Sequence, residues 1–128
     1  MKPLTMEWIE KAEEDFLTAR RELRARRSPN FDAVCFHAQQ CVEKYLKARL
    51  QEASIPFAKT HDLTVLLEAV LPVEPLWKPL HKALSDLSQR AVDVRYPGLT
   101  ADRQMARTAL KTCSEFRLLA RSALEMSN

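Results

Sequence analysis

The residues of this chain best equipped for chemistry are crowded into one stretch, Cys35 to Lys47, reading CFHAQQCVEKYLK. His37, Gln39, Gln40, Glu43, Lys44 and Lys47 bring together an imidazole, two amides, a carboxylate and two ammonium groups. Such a set offers proton transfer near neutral pH, directional hydrogen bonds and charge to hold an anion. His37, Gln40, Lys44 and Lys47 follow one another at steps of 3, 4 and 3. Side chains at those steps are neighbours on a helix surface.

Two short downstream motifs carry further candidates. His61 stands in KTHDL, at the start of a predicted helix, where it is either a helix-entry residue or a group facing the row. Arg95 and Tyr96 stand in DVRYPG, at the close of another. Arginine there satisfies terminal carbonyls, and arginine beside tyrosine also suits a phosphate and a base. His81 is expected to be a solvent-side helix residue. The sequence contains no Gly-x-Ser-x-Gly turn, no phosphate-cradling glycine loop and no metal-ligating histidine pair, so neither a catalytic nor a metal site is expected.

The elements that must position these groups are helices. One glycine among 128 residues leaves little for hairpin turns, while apolar residues at 46% and charged residues at 29% fit a folded globular chain. The first helix is predicted from a Thr5 cap, with Ile9, Ala12, Phe16, Ala19 and Leu23 on one face. Ser28-Pro29 is read as the cap and first residue leading into a second helix, from about Phe31 to Ala53. Pro56 interrupts, and Thr60 is expected to cap a short third helix, Leu63 to Leu71. Residues 72–79 are left undecided, a fourth helix starts at Leu80, and a fifth runs from near Thr100 to about Glu125. The fold class is all-α: an antiparallel up-and-down bundle of four long helices plus one short one, in a single domain over residues 1–128.

Laid out at about 100° per residue, the second helix puts Val34, Cys35, Ala38, Cys41, Val42, Tyr45, Leu46 and Ala48 on a broad buried arc. His37, Gln40, Glu43, Lys44 and Lys47 fall opposite, with Phe36 among them and Gln39 at the edge. That strip reads as the wet face of a bundle helix, with Glu43–Lys47 an ordinary ion pair one turn apart. Phe36 within it points instead to a partner chain or a pocket wall.

The remaining composition excludes more than it assigns. The net charge is +3, and the one dense basic run, RRELRARR from Arg20 to Arg27, reads as a solvated helix end that complements the dipole. Cys35, Cys41 and Cys113 have no CxxC or CxxH spacing and lie in apolar patterns, as small hydrophobes. Neither a signal peptide nor a membrane span is read from the sequence, so a cytoplasmic location is expected.

FHAQQCVEKYLKA (Phe36 to Ala48), then Thr60-His61 and Arg95-Tyr96-Pro97, resembles the HEPN domain, named for higher eukaryotes and prokaryotes nucleotide-binding. WIEKAEEDFLTAR (Trp8 to Arg20) looks like the first helix of that family. The resemblance implies a helical bundle, commonly homodimeric, that binds a nucleotide and can pair with a small nucleotidyltransferase subunit in a toxin–antitoxin-like couple. No cofactor is implied. By motif position it implies His37, Gln40, Lys44, His61, Arg95 and Tyr96 as the residues nearest a nucleotide. Lys47 joins them as a phosphate-neutralising cation, and Phe36 as an interface or stacking residue. Ribonuclease members of the family carry an arginine followed four to six residues later by a histidine, and this sequence does not. The expectation is therefore a non-catalytic module. The alternatives are a ribonuclease using His37, His61 or His81, and a purely structural dimerisation module.

Overall fold

The computed structural model describes residues 1–126. Its helices are α1 (Pro3–Arg24), α2 (Phe31–Glu52), α3 (Leu63–Val70), α4 (His81–Asp93) and α5 (Arg103–Ala123), with a 3₁₀ helix, Pro75–Leu80, before α4.

The helix starts are set by local chemistry, and several differ from the sequence expectation. α1 begins at Pro3 rather than after Thr5. Proline lacks the N–H that would be orphaned at a first turn, and the Lys2 backbone N–H donates to Glu52 Oε1 at 3.0 Å, fixing the entry. Thr5 is instead fully buried inside the helix. α2 is capped by Asn30, whose carboxamide oxygen accepts from the Ala33 N–H at 3.0 Å; Ser28 takes a left-handed φ of 46° in the preceding turn. Asp62, not Thr60, caps α3, because its carboxylate reaches the Thr64 N–H at 3.0 Å. Thr60 Oγ1 accepts one step earlier, from the Asp62 N–H at 3.1 Å. α5 likewise waits for Asp102, which accepts from the Met105 N–H at 2.8 Å. The undecided segment holds the 3₁₀ helix, whose Trp77 is buried edge-on against Phe116 with ring centroids 5.1 Å apart.

Cross-helix contacts give the directions. Lys2 meets Glu52, Asp15 meets His37, and Ala19 packs with Val34, so α1 and α2 are antiparallel. Leu63 meets Ser88 and Glu68 meets His81, so α3 and α4 are antiparallel as well. Asp32 reaches Ala101 while Tyr45 reaches Arg121, which makes α2 and α5 parallel, as diagonal members of an up-down-up-down bundle are. α3 then runs in the same sense as α2. The chain achieves this by turning back at Ser54 and running residues 53–61 along α2 before restarting.

The core is the interior of this bundle, with Tyr45, Leu46, Leu50, Leu63, Leu66, Leu67 and Leu84 among its largest fully buried side chains. All three cysteines are free and buried there. Burial pushes the Cys35 thiol up to about 11, so the neutral thiol packs as a hydrophobe. One polar cluster ties α1, α2 and α5 at the rim. Arg117 donates twice to Glu13, at 2.7 and 2.6 Å, while the Tyr45 hydroxyl also donates to Glu13 and accepts from Arg121 at 3.1 Å. Arg117 also lies over the Phe16 ring, 4.6 Å from its centroid.

Burial raises the Glu13 carboxyl, but hydrogen bonds from Arg117 and Tyr45 and the two guanidinium charges outweigh it and hold it below its usual range. A lowered folded value means the stabilisation is present above the ordinary carboxylate range and lost as pH falls through the folded value. Glu13→Gln is therefore expected to lose less melting temperature than wild type between pH 7 and pH 3. Arg117→Ala should cost about 1–2 kcal/mol in urea unfolding at pH 7, the low end for charged hydrogen bonds because the pair is partly exposed.

Candidate functional site

Three elements bound the polar row on α2: α1 along one edge, the returning segment 53–61 along the other, and the turn after α4 at the N-terminal end. The wet-face expectation fails for half of the row. Gln39, Gln40, Glu43 and Lys47 are all buried, with Glu43 only 2% exposed. α1 and the returning segment close over these four from both sides. His37, Lys44 and Phe36 remain half-buried, and Arg95 and Tyr96 are exposed.

The buried half is a satisfied network. Lys47 Nζ donates to Glu43 at 3.0 Å, and Glu43 also accepts from His61 Nδ1 at 2.9 Å. Gln39 Nε2 donates to the His61 carbonyl at 2.7 Å, and Gln40 Nε2 to Gln39 Oε1 at 3.0 Å. Lys47 Nζ lies 5.3 Å from the centre of the Trp8 ring, which meets Phe57 edge-on at 6.2 Å. Its charge is answered inside the protein and is not presented to solvent. The His61 imidazole stays 72% exposed despite its grip on Glu43, and it lines a cavity of about 280 Å³ between α3 and α4 with Asp62, Thr64, Ser85 and Ser88.

The open half is organised by Asp15 of α1, a residue to which neither the α2 motif nor its spacing points. Its carboxylate accepts from His37 Nδ1 at 2.7 Å through one oxygen and from Lys44 Nζ at 2.5 Å through the other. Asp15 is 6% exposed. The pattern that could have revealed it is its place between Ala12 and Ala19 on the apolar stripe of α1, where a carboxylate needs partners. With Nδ1 committed to Asp15, His37 Nε2 is the ring nitrogen left for another group. Phe36 meets the His37 ring edge-on at 5.1 Å, and Arg95 stacks over the Phe36 face at 5.2 Å. The structure thus links His37, Lys44, Phe36 and Arg95 in one patch. Tyr96 follows Arg95 in sequence and is 61% exposed.

The fold that positions this patch also identifies the chain's relatives. The HEPN domain family model matches residues 5–123, nearly the whole length. The chain belongs to the HEPN domain family. An archaeal HEPN homologue of known crystal structure superposes with a TM-score of 0.71 at 24% identity, covering 95% of this chain and 98% of that one. At that identity the likeness concerns the HEPN fold alone. None of the curated proteins matches the chain. Among the described residues, no helix is long and apolar enough to cross a membrane, and no three His, Cys, Asp or Glu side chains are grouped to hold a metal.

Removing Asp15 would leave Lys44 with no counter-charge in a partly desolvated site. Asp15→Ala is expected to cost about 2–4 kcal/mol in urea unfolding. Lys111→Ala, which breaks a pair exposed on both sides, should leave the midpoint within error.

Proposed function

We propose that this HEPN chain is a non-catalytic module that binds a nucleotide through the open half of the α2 row. The observation that carries the reading is Arg95 over the Phe36 ring, with His37 edge-on to that ring and tied through Asp15 to Lys44, a phosphate-binding chemistry joined to an aromatic one. Arg95 has a ring beneath it and no carboxylate at salt-bridge distance among the described residues, so its donors are available to a phosphate. Phe36 or Tyr96 would stack on the base, and His37 would supply a hydrogen bond from Nε2. Lys47 and Gln40, bonded within the buried half, would support the site from beneath. The module would act as a homodimer or beside a small nucleotidyltransferase partner, with Phe36 at the edge of the shared surface.

Isothermal titration with a panel of nucleoside triphosphates tests this. Saturable binding that weakens at least about tenfold in Arg95→Ala and in Lys44→Ala is expected, the scale of one lost charged hydrogen bond. No heat from any of them, with the partner subunit present or absent, removes the nucleotide half. Light scattering on Phe36→Asp tests the assembly half; retention of the wild-type mass excludes that face as the contact.

One observation favours a second reading, a ribonuclease. Asp15 orients His37 in the way a carboxylate orients a general base, with a cation stacked on the neighbouring ring. It requires single-stranded RNA to be cut by the wild type and spared by His37→Ala. RNA left intact after prolonged incubation at high protein concentration eliminates it.

A further inference from the structure

α4 is bordered by two seams. The one against α3 carries His61. The one against α5 contains two adjoining cavities of about 240 and 170 Å³, and Asp86 and Arg90 line both. Together they reach the lower range of small-molecule sites. Nothing in the nucleotide reading uses this seam.

Arg90 is the exception among the sheltered cations of the described residues. Lys2 bonds Gln51, Arg20 lies over Phe16, Lys44 is held by Asp15, and Lys47 by Glu43. Arg49 is held by Glu74, and Arg117 and Arg121 by Glu13. Arg90 is half-buried as well, yet among the described residues its side chain has no hydrogen-bond acceptor, no carboxylate at salt-bridge distance and no ring beneath it. The nearby carboxylates on its own helix are engaged elsewhere. Asp86 takes Lys82 at 3.1 Å, and Asp93 takes the Gln89 amide at 2.8 Å.

A partly desolvated guanidinium whose donors meet no protein acceptor among the described residues is open to a ligand, and a two-oxygen anion is the group whose geometry answers it. Asp86 and Asp93 lie about one turn away on either side, and their field disfavours a dianion such as a phosphate monoester. A single carboxylate fits. Around it, Leu87 and Ala109 supply apolar wall, while Thr108 and Thr112 offer hydroxyls with no hydrogen bond of their own among the described residues. We propose that the α4–α5 seam is a binding site for a small monocarboxylate. Arg90 clamps the carboxylate, Leu87 and Ala109 hold the carbon body, and Thr108 and Thr112 bond any hydroxyl it carries.

Amide NMR on the full chain, titrated with sodium lactate, sodium benzoate and inorganic phosphate, tests the assignment. Lactate and benzoate should give saturable shifts confined to residues 83–94, 99–100 and 105–112, with midpoints of about 1–10 mM, the scale for ligands of so few atoms. Phosphate should give none that saturates. Arg90→Ala should weaken both carboxylates by about tenfold or more, and Arg90→Lys should restore only part, because the two-pronged geometry is lost. Thr108→Val with Thr112→Val should weaken lactate and spare benzoate. Lys44→Ala should leave both unchanged, which separates this site from the nucleotide site. No saturable shift from either carboxylate, or equal binding by phosphate, overturns the proposal. So do shifts of the same amides on dilution without any probe, which would assign Arg90 to a contact between two copies of the chain.

Discussion

The enclosure of α2 on nearly its whole circumference governs everything else in this molecule. Thirteen of its residues are buried, including Gln39, Gln40, Glu43 and Lys47, because α1, α3, α4 and α5 all pack around it. A helix in that position cannot give its polar side chains to water. Each must find a partner inside, since a buried polar group without one costs more than its hydrogen bond returns. The neighbouring elements supply those partners: Asp15 from α1 and His61 from the returning segment.

This requirement divides one row of residues into two kinds of site. On the side of α2 that the returning segment covers, Glu43, Lys47, Gln39 and Gln40 satisfy one another and His61, beneath Trp8 and Phe57. An ion pair so placed gains little net stability over apolar residues of the same shape, and its attested use is to fix register. Here it fixes where the segment 53–61 lies, because Gln39 and Glu43 both bond to His61, one through its carbonyl and one through its ring. Around His37 and Lys44 the cover is incomplete. Asp15 holds His37 and Lys44 in place, and Arg95 arrives over Phe36 from the turn after α4. The HEPN motif residues are thus spread over two environments, one largely covered by neighbouring elements and the other partly open to solvent.

The same need for partners explains the treatment of arginine. At the α1–α5 seam, Glu13 gathers Arg117, Arg121 and the Tyr45 hydroxyl, so that charges brought near the core are answered by protein groups. At the α4–α5 seam the arrangement differs. Asp86 and Asp93 are engaged by Lys82 and Gln89, and Arg90 is left facing open space between two helices.

The sequence by itself determined the helical class, the buried arc of α2 and the family, because these rest on local periodicity and on short motifs that survive folding unchanged. Val34, Cys35, Ala38, Cys41, Val42, Tyr45, Leu46 and Ala48 were legible as core because their spacing is that of a helix face, and all are buried. Helix ends were less legible. Where two capping residues stood close together, at Thr60 and Asp62 or at Ser28 and Asn30, the winner depended on which oxygen reached the free N–H. The tertiary structure alone decided which polar residues are covered. Periodicity gives the angle of a side chain about its own axis, but not which neighbour lies at that angle. A chain that turns back over 53–61 buries Glu43 and Lys47 on the side a helical wheel assigns to solvent, and only long-range packing places Asp15 between His37 and Lys44.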